Sequence, residues 1–405
     1  MNQNRKILND PVYGFINLPD GLLAEIVHHS YFQRLRRIRQ LGMSDLVYPG
    51  ATHTRFLHTL GSYHLMNLAI SVLREKGIDI SDNNAKAVQL AILLHDIGHG
   101  PFSHALEDLI VPNISHEEIS LAFMKYFNAK YEGALDEAID VFTGRSPHNF
   151  LHELVSSQLD TDRLDYLKRD SFFTGVSEGV ISTDRIIKML NVIDDRLVVD
   201  IKGLYSVEKF LIARRLMYWQ VYLHKTVVAS EMLLRKVIMR ARELTMQGQK
   251  LWASDSLLYF LKNNHFELTE ELIKNFALLD DTDVITSLKV WQNCDDKVLS
   301  LLSKMYVNRS LFKIKLQKEP FDEEFIALKK MEVVKKFGMT ASEAEYFVVT
   351  DHLTNNAYKP DSGKIMILKK DGQTADLAEV SDMFDHEMLY KTVKKYFLCY
   401  PRGLA

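Results

Sequence analysis

Cysteine is nearly absent: Cys294 and Cys399 are the only two in 405 residues. That excludes a disulfide framework and points to a reducing compartment. Neither has a nearby histidine pattern, so nothing suggests a thiol nucleophile. Glycine and proline are sparse, at 18 and 9, which excludes collagen-like, low-complexity and long flexible-linker organisation. No apolar run exceeds five residues, as in Leu90–Leu94, whereas a membrane-spanning helix needs about 20. The opening MNQNRKILNDP lacks a signal-peptide core. Neither sign of charge dominates: 50 Lys+Arg stand against 53 Asp+Glu, a net charge of -3, which argues against a general nucleic-acid or membrane binder. The expectation is an intracellular, cytoplasmic globular protein with roughly two or three domains, or one large core and an appended lobe.

What is present is mostly helical patterning. Ser206 to Met246 repeats apolar residues at three- and four-residue spacing with few breakers. Strand signals are few: LVVDI at Leu197, YFVVT at Tyr346 and KIMIL at Lys364, the last two flanking a turn-rich KPDSG and reading as a hairpin or paired strands. The first two-thirds is therefore expected to be mainly α and the last third mixed α and β. A boundary is expected near Gln247, dividing 1–246 from 247–405.

Histidines cluster, with seven of the 15 between His53 and His116. Three helices carry them or face them. Ser81 is an N-cap candidate for a helix to about His95, with Ala85, Val88, Ala91 and Ile92 inward and His95-Asp96 continuing that stripe. A second runs from Thr54 to about Leu73, with His58, Gly61, Leu65, Leu68 and Val72 inward. A third starts near Phe150 and carries Leu151, Val155, Gln158 and Leu159, then Asp162 and Tyr166 on one face. His148 and His152 beside it read as surface or supporting residues. Buried ionisable groups are costly unless paired or metal-bound. His58, His95, Asp96 and Asp162 form a mixed nitrogen/oxygen set suited to a divalent transition metal or to magnesium. Such a site leaves positions open for water and a phosphate oxygen.

FQRLRRIRQ packs four arginines into six residues. Ser30 with Gln33 reads as a capping box, and Leu35, Ile38 and Leu41 as the buried side. Between Tyr31 and Arg55 there are five Arg, one Asp and no Lys or Glu. The asymmetry suits either a phosphate-facing surface or a solvated basic face.

NDPVYGFINL at Asn9, FQRLRRIRQLG at Phe32, YPGATHTRFLHTLG at Tyr48, HDIGHGPFSH at His95, SHEEIS at Ser115, LDTDRLDYLKRD at Leu159 and YLHK at Tyr222 together resemble the HD-domain phosphohydrolase superfamily. The likeness is closest to its deoxynucleoside triphosphate triphosphohydrolase branch, without the SAM domain that animal members carry. Weaker likeness continues from RSLFK at Arg309. The resemblance implies a helical HD core and one divalent metal ion held by His58, His95, Asp96 and Asp162. It makes His99, His104, His116 and Glu107 the catalytic acid–base group. Arg55, Arg163, Arg214 and Lys225 would bind phosphates, Gln40 and Asp170 the sugar 3′-hydroxyl, Tyr166 the deoxyribose and Tyr222 the base region. Lys6, Gln33, Arg36, Arg309 and Lys313 resemble half of a nucleotide effector site between subunits, which implies a homo-oligomer. The acidic residue that reads guanine in that site falls at His28 here.

The implied reaction is hydrolysis of a dNTP to deoxynucleoside and triphosphate. Two alternatives stay open: another nucleotide phosphohydrolase of the same superfamily, such as a 5′-nucleotidase, and a nucleotide-sensing or single-stranded nucleic-acid-binding protein with a vestigial site.

Overall fold

The computed structural model describes residues 6–355, 358, 363–384 and 392–404. The chain opens on a hairpin of β1 (Lys6–Asp10) and β2 (Gly14–Leu18), with Lys6 opposite Leu18. Asp10 closes its turn, Oδ1 accepting the N–H groups of Val12 and Tyr13 at 2.9 and 3.0 Å. Period-two alternation buries Ile16 and Leu18 and leaves Ile7 and Phe15 outside. Two short helices follow, α1 (Leu22–His28) and α2 (Ser30–Gln33). The expected Ser30–Gln33 capping box does not form. His29 caps α2 instead, its Nδ1 accepting from the Tyr31 N–H at 3.3 Å, and Gln33 donates back to the Val27 carbonyl at 2.6 Å. The arginine-rich run tightens into a 3-10 turn at Arg34–Arg37 and turns extended at Ile38. Leu35 and Ile38 are buried, and Leu41 is half-buried.

The helical core is built from α3 (Arg55–Glu75) and α4 (Asp82–Leu94). The Ser81 hydroxyl caps α4, accepting from the Asn84 N–H at 3.0 Å. Leu90–Leu94 are all buried, so the end of α4 is enclosed on every side and delivers His95 and Asp96 into the interior. On α3 the inward face carries Leu65, Met66, Ala69, Ile70 and Leu73, while Leu68, expected on that face, is 38% exposed. At about 100° per residue Leu68 has drifted about 80° from His58, whereas Ala69 has drifted only about 20°.

Next come α5 (Glu107–Ile110), α6 (His116–Lys130), α7 (Asp136–Phe142), α8 (Asn149–Val155) and α9 (Thr161–Thr174). Ser115 and Glu118 form a full capping box on α6. The single third helix expected through Phe150 and Tyr166 is two. Ser156 is extended, and Asp160 starts α9 afresh by accepting the Arg163 N–H at 2.7 Å. Asp162 therefore stands in a first helical turn.

α10 (Thr183–Met189), β3 (Leu190–Ile193) and β4 (Arg196–Asp200) lead into α11 (Leu204–Met217). The helix expected over Ser206–Met246 is interrupted. α11 widens into a π turn at Tyr218–Tyr222, and α12 (Lys225–Met246) restarts under a His224 cap. Such π segments recur at functional sites. Then α13 (Asp255–Lys262), α14 (Glu270–Leu278), α15 (Asp281–Trp291) and α16 (Lys297–Val307) are each capped by a Ser, Thr or Asp side chain. They pack back on the earlier helices, α16 on α12 and α14 on α2 and α6.

The last part holds β5 (Lys313–Gln317), α17 (Glu323–Phe337), β6 (Val349–Asn355), β7 (Met366–Leu368), β8 (Thr374–Asp376) and β9 (Val393–Tyr400). β5-β9-β6 is antiparallel, and β3-β4-β7-β8 contains a parallel β4–β7 pair. The two segments read as a hairpin thus join different sheets, β7 pairing with the LVVDI strand. Lys359 to Ser362 of the intervening turn lie outside the described residues. The architecture is mainly α, with a smaller mixed C-terminal region. Among the described residues no helix is long and apolar enough to cross a membrane.

Candidate metal centre and phosphate cavity

α3, α4 and α9 bring His58, His95, Asp96 and Asp162 together. His58 Nε2 lies 2.9 Å from Asp162 Oδ1 and 3.6 Å from Asp96 Oδ2. His95 Nε2 lies 3.4 Å from one oxygen of each of the same two aspartates. The tautomers are fixed from behind. His95 Nδ1 is 2.6 Å from the Ile92 carbonyl, which can only accept, so Nδ1 carries the proton. His58 Nδ1 is 2.7 Å from Asp165 Oδ2. Both Nε2 atoms are buried without a hydrogen-bond partner. Two imidazole lone pairs facing two carboxylates repel unless a cation lies among them. The donor set thus fits a divalent ion. The pocket around His58 draws positive charge: burial alone would lower its imidazole, but the facing Asp162 and Asp165 carboxylates carry it up to about 10. Burial would raise the Asp162 carboxyl, yet the two imidazoles hold it below the usual carboxylate range.

Behind His58 runs a row of buried charges. Asp165 accepts two hydrogen bonds from Arg169 at 3.0 Å each, and Arg169 Nη1 donates to Asp10 Oδ2 at 2.7 Å. Asp165 and Arg169 are 0% exposed and Asp10 5%. The row needs α3 and α9 close together, and Gly61 permits it. A Cβ there would meet Asp165 Oδ1 at 2.0 Å and Arg169 Nη2 at 2.2 Å.

A second cluster stands beside Asp96. The rings of His99 and His116 stack at 3.9 Å, and His104 meets both edge-on. Glu107 joins two of them, accepting from His116 Nδ1 at 2.6 Å and His104 Nδ1 at 3.0 Å. Burial works to raise the Glu107 carboxyl, but these imidazoles hold it well below its usual range. Burial, and next the Arg55 guanidinium, push His99 well below the usual histidine value, so His99 is neutral. The segment between the clusters is strained: Phe102 and Ser103 have φ of 54° and 53°, a region unfavourable for side-chain-bearing residues. Asp281 secures it, accepting the Phe102 N–H at 2.8 Å and the Arg39 N–H at 2.9 Å. Sequence reasoning missed Asp281, Asp165 and Arg169.

Both clusters open on one cavity of about 440 Å³, a size typical of small-molecule sites. Gln40, Arg55, Arg163, Tyr166, Asp170, Arg214 and Tyr222 line it, as the resemblance implies. Arg55 pairs with Asp96 and donates to Ser103 Oγ at 3.0 Å. Arg163 pairs with Asp160, and Arg214 donates to Gln158 at 3.2 Å. Both keep a buried Nε unpartnered, as does the Gln40 carbonyl oxygen. Asp170 is held at both oxygens, by His53 Nε2 at 2.8 Å and Tyr222 OH at 2.8 Å. His53, Tyr218 and Glu231 were not anticipated; Tyr218 and Glu231 line the cavity.

Some expected residues stand elsewhere. Lys225, at the first position of α12, is exposed and does not line the cavity. Three guanidiniums of the arginine-rich run are engaged within the chain. Arg34 is fully buried and donates to the carbonyls of Leu279 and Ile97, while Arg37 pairs with Asp280 and Arg39 with Asp45. Carbonyl acceptors and acids consume those guanidiniums, leaving Arg55 in the cavity. Among the effector candidates, Lys6 lies 2.9 Å from His28 Nε2 and Arg36 donates to Gln33 at 2.7 Å. Arg309 donates to the Leu46 carbonyl, and Lys313 is exposed on β5. No hydrogen bond or ion pair among the described residues links the first three to the last two.

Comparison with known proteins agrees with this geometry. Residues 55–170 match the HD domain and 181–275 the HD associated region. A crystallised phosphohydrolase of Bacteroides thetaiotaomicron is 54% identical, superposes with a TM-score of 0.95, and is matched over 98% of this chain and 100% of its own. The uncharacterised Bacillus subtilis protein YwfO is 29% identical over 98% of this chain and 93% of its length. A Dictyostelium discoideum deoxynucleoside triphosphate triphosphohydrolase is 28% identical over 71% of this chain and 63% of its own. A chain so similar over its whole length to a solved phosphohydrolase, and matching the HD domain across α3 to α9, belongs to the HD-domain phosphohydrolase family.

Proposed function

We propose that this protein hydrolyses deoxynucleoside triphosphates to a deoxynucleoside and triphosphate. The observation that carries the reading is the joining of the His/Asp cluster, the histidine–glutamate cluster and three arginines in one cavity. The similarity to the Dictyostelium triphosphohydrolase supports it.

In this reading His58, His95, Asp96 and Asp162 hold one divalent cation, which when bound polarises a phosphoryl oxygen and acidifies a water. Arg55, Arg163 and Arg214 bind the triphosphate, with guanidinium forks matched to phosphate oxygens. Glu107 fixes the His116 ring through Nδ1, leaving Nε2 to give a proton to the departing 5′ oxygen. His104, held by the same carboxylate through Nδ1, takes the proton released by the attacking water and passes it to His116 before the next turnover. Neutral His99 lies against the His116 ring without adding charge. Tyr166 borders the sugar where a 2′-hydroxyl would clash, and Gln40 and Asp170 meet the 3′-hydroxyl. Residues 1–246 act as the catalytic core and 247–405 as the lobe that braces it. Lys6, Gln33, Arg36, Arg309 and Lys313, from two copies of the chain, hold a nucleotide effector in a homo-oligomer.

The test is product analysis with manganese and each of the four dNTPs. Triphosphate release is expected. Orthophosphate release would instead identify a nucleotidase, and binding without turnover a sensor.

A further inference from the structure

The cavity has a wall that phosphate chemistry leaves unused. Glu231, on the second turn of α12, lines it with Leu41, Phe102, Leu223 and Val227. Among the described residues its carboxyl group has no hydrogen bond or ion pair. The natural partner one turn on is occupied: Arg235 puts Nη1 and Nη2 on Asp108 at 2.6 and 2.8 Å, and Nη1 also on the Ala105 carbonyl at 2.9 Å. Burial pushes the Glu231 carboxyl up to about 7, against the opposing pull of the Arg235 guanidinium. A carboxylate in an apolar wall is unfavourable until hydrogen-bond donors reach it. In the same cavity Tyr218 and Tyr222 stand edge-on to each other, 5.1 Å between ring centres, and the face of such a ring can take a stacked base.

We propose that Glu231 reads the nucleobase of the substrate, accepting the adjacent N1–H and N2–H donors of guanine. The assignment rests on the reading of the site as a dNTP hydrolase. The chemistry favours guanine because an ionised carboxylate is acceptor-only. Adenine and cytosine present a donor beside an acceptor, and thymine one donor between two acceptors. Guanine alone offers two neighbouring donors on that edge.

The experiment is steady-state triphosphate release from dGTP and dATP at about pH 8.5, where Glu231 is ionised, by the parent enzyme and Glu231→Gln. Glutamine keeps the shape but presents one acceptor and one donor, matching adenine and mismatching guanine. The ratio of kcat/KM for dGTP over dATP should fall by about 10- to 100-fold in the variant. The ratio is insensitive to the fraction of folded enzyme, so a destabilised variant still reports. Triphosphate release with an unchanged ratio overturns the role of Glu231 alone. No triphosphate from any dNTP overturns the dNTP reading of the site, and this inference with it.

Discussion

Replacing Asp165 by asparagine removes one charge from the buried row His58–Asp165–Arg169–Asp10 while keeping its shape. Two effects should follow. Arg169 is fully buried and donates two of its three hydrogen bonds to Asp165. Breaking such a pair from one side typically costs about 3–5 kcal/mol, because the remaining charge stays desolvated. That is a large share of the roughly 5–15 kcal/mol by which domains are stable. The second effect is on the metal centre. Asp165 holds the His58 ring from behind at 2.7 Å, and losing such a support typically weakens metal binding about 10- to 100-fold. Denaturant unfolding in chelator measures the first effect and calorimetric metal titration the second. Asp162→Asn is the control. It touches the metal centre but no buried arginine, so it should lose metal with a smaller loss of stability. The reasoning fails if Asp165→Asn unfolds within about 1 kcal/mol of the parent, or binds metal as tightly.

Gly61→Ala should destabilise by about 1–3 kcal/mol, although alanine normally favours a helix interior, because its Cβ would lie 2.0 Å from Asp165 Oδ1; denaturant midpoints check it. Chelation should lower the melting temperature of the parent and leave His95→Ala unmoved, since an ion at about 100 times its Kd adds about 2.7 kcal/mol to the folded state; calorimetry with and without chelator decides. Glu231 gives a pH dependence. Its folded carboxyl is raised to about 7, so its contribution is full below about pH 4 and lost as pH rises through 7. The parent should therefore lose about 1–3 kcal/mol more than Glu231→Gln between about pH 5 and pH 8.5; parallel slopes would refute this.

The legible parts of the fold are those governed by local chemistry. Ser81 caps α4 because a hydroxyl at that position satisfies an orphan N–H whatever surrounds it. The strand at Leu197 and the helical character of α3 follow from patterning in the same way. The breaks were not legible. Ser156 and Leu223 interrupt stretches whose apolar spacing continues across them, and the caps that restart the helices, Asp160 on α9 and His224 on α12, are local but masked by that continuous spacing. The pairing of β7 with β4 rather than β6 is a long-range choice that turn residues cannot encode.

The candidate site divides along the same line. His58, His95, Asp96 and Asp162 could be grouped because each stands on an inward helical face or beside one, where an ionisable group requires a partner. Their supports could not, since Asp165 and Arg169 look like ordinary charges of an exposed helix in LDTDRLDYLKRD. A signal was present nonetheless. Asp165 and Arg169 are four residues apart, and Asp165 lies one turn after Asp162, so an inward Asp162 carries both toward the interior. NDPVYG, far away in sequence, acts at the same place. Asp10 closes its own hairpin with one oxygen and completes Arg169 with the other. The arginine run teaches the converse. Arg34, Arg37 and Arg39 belong to a run that suits either a phosphate-facing surface or a solvated basic face, yet Arg34 and Arg37 hold the Leu279–Asp280 segment and Arg39 pairs with Asp45. The next residue, Asp281, clamps the Phe102 turn. Charge composition could not separate these roles, because a guanidinium that braces the floor of an anion site and one that faces the anion are drawn from the same stretch of chain.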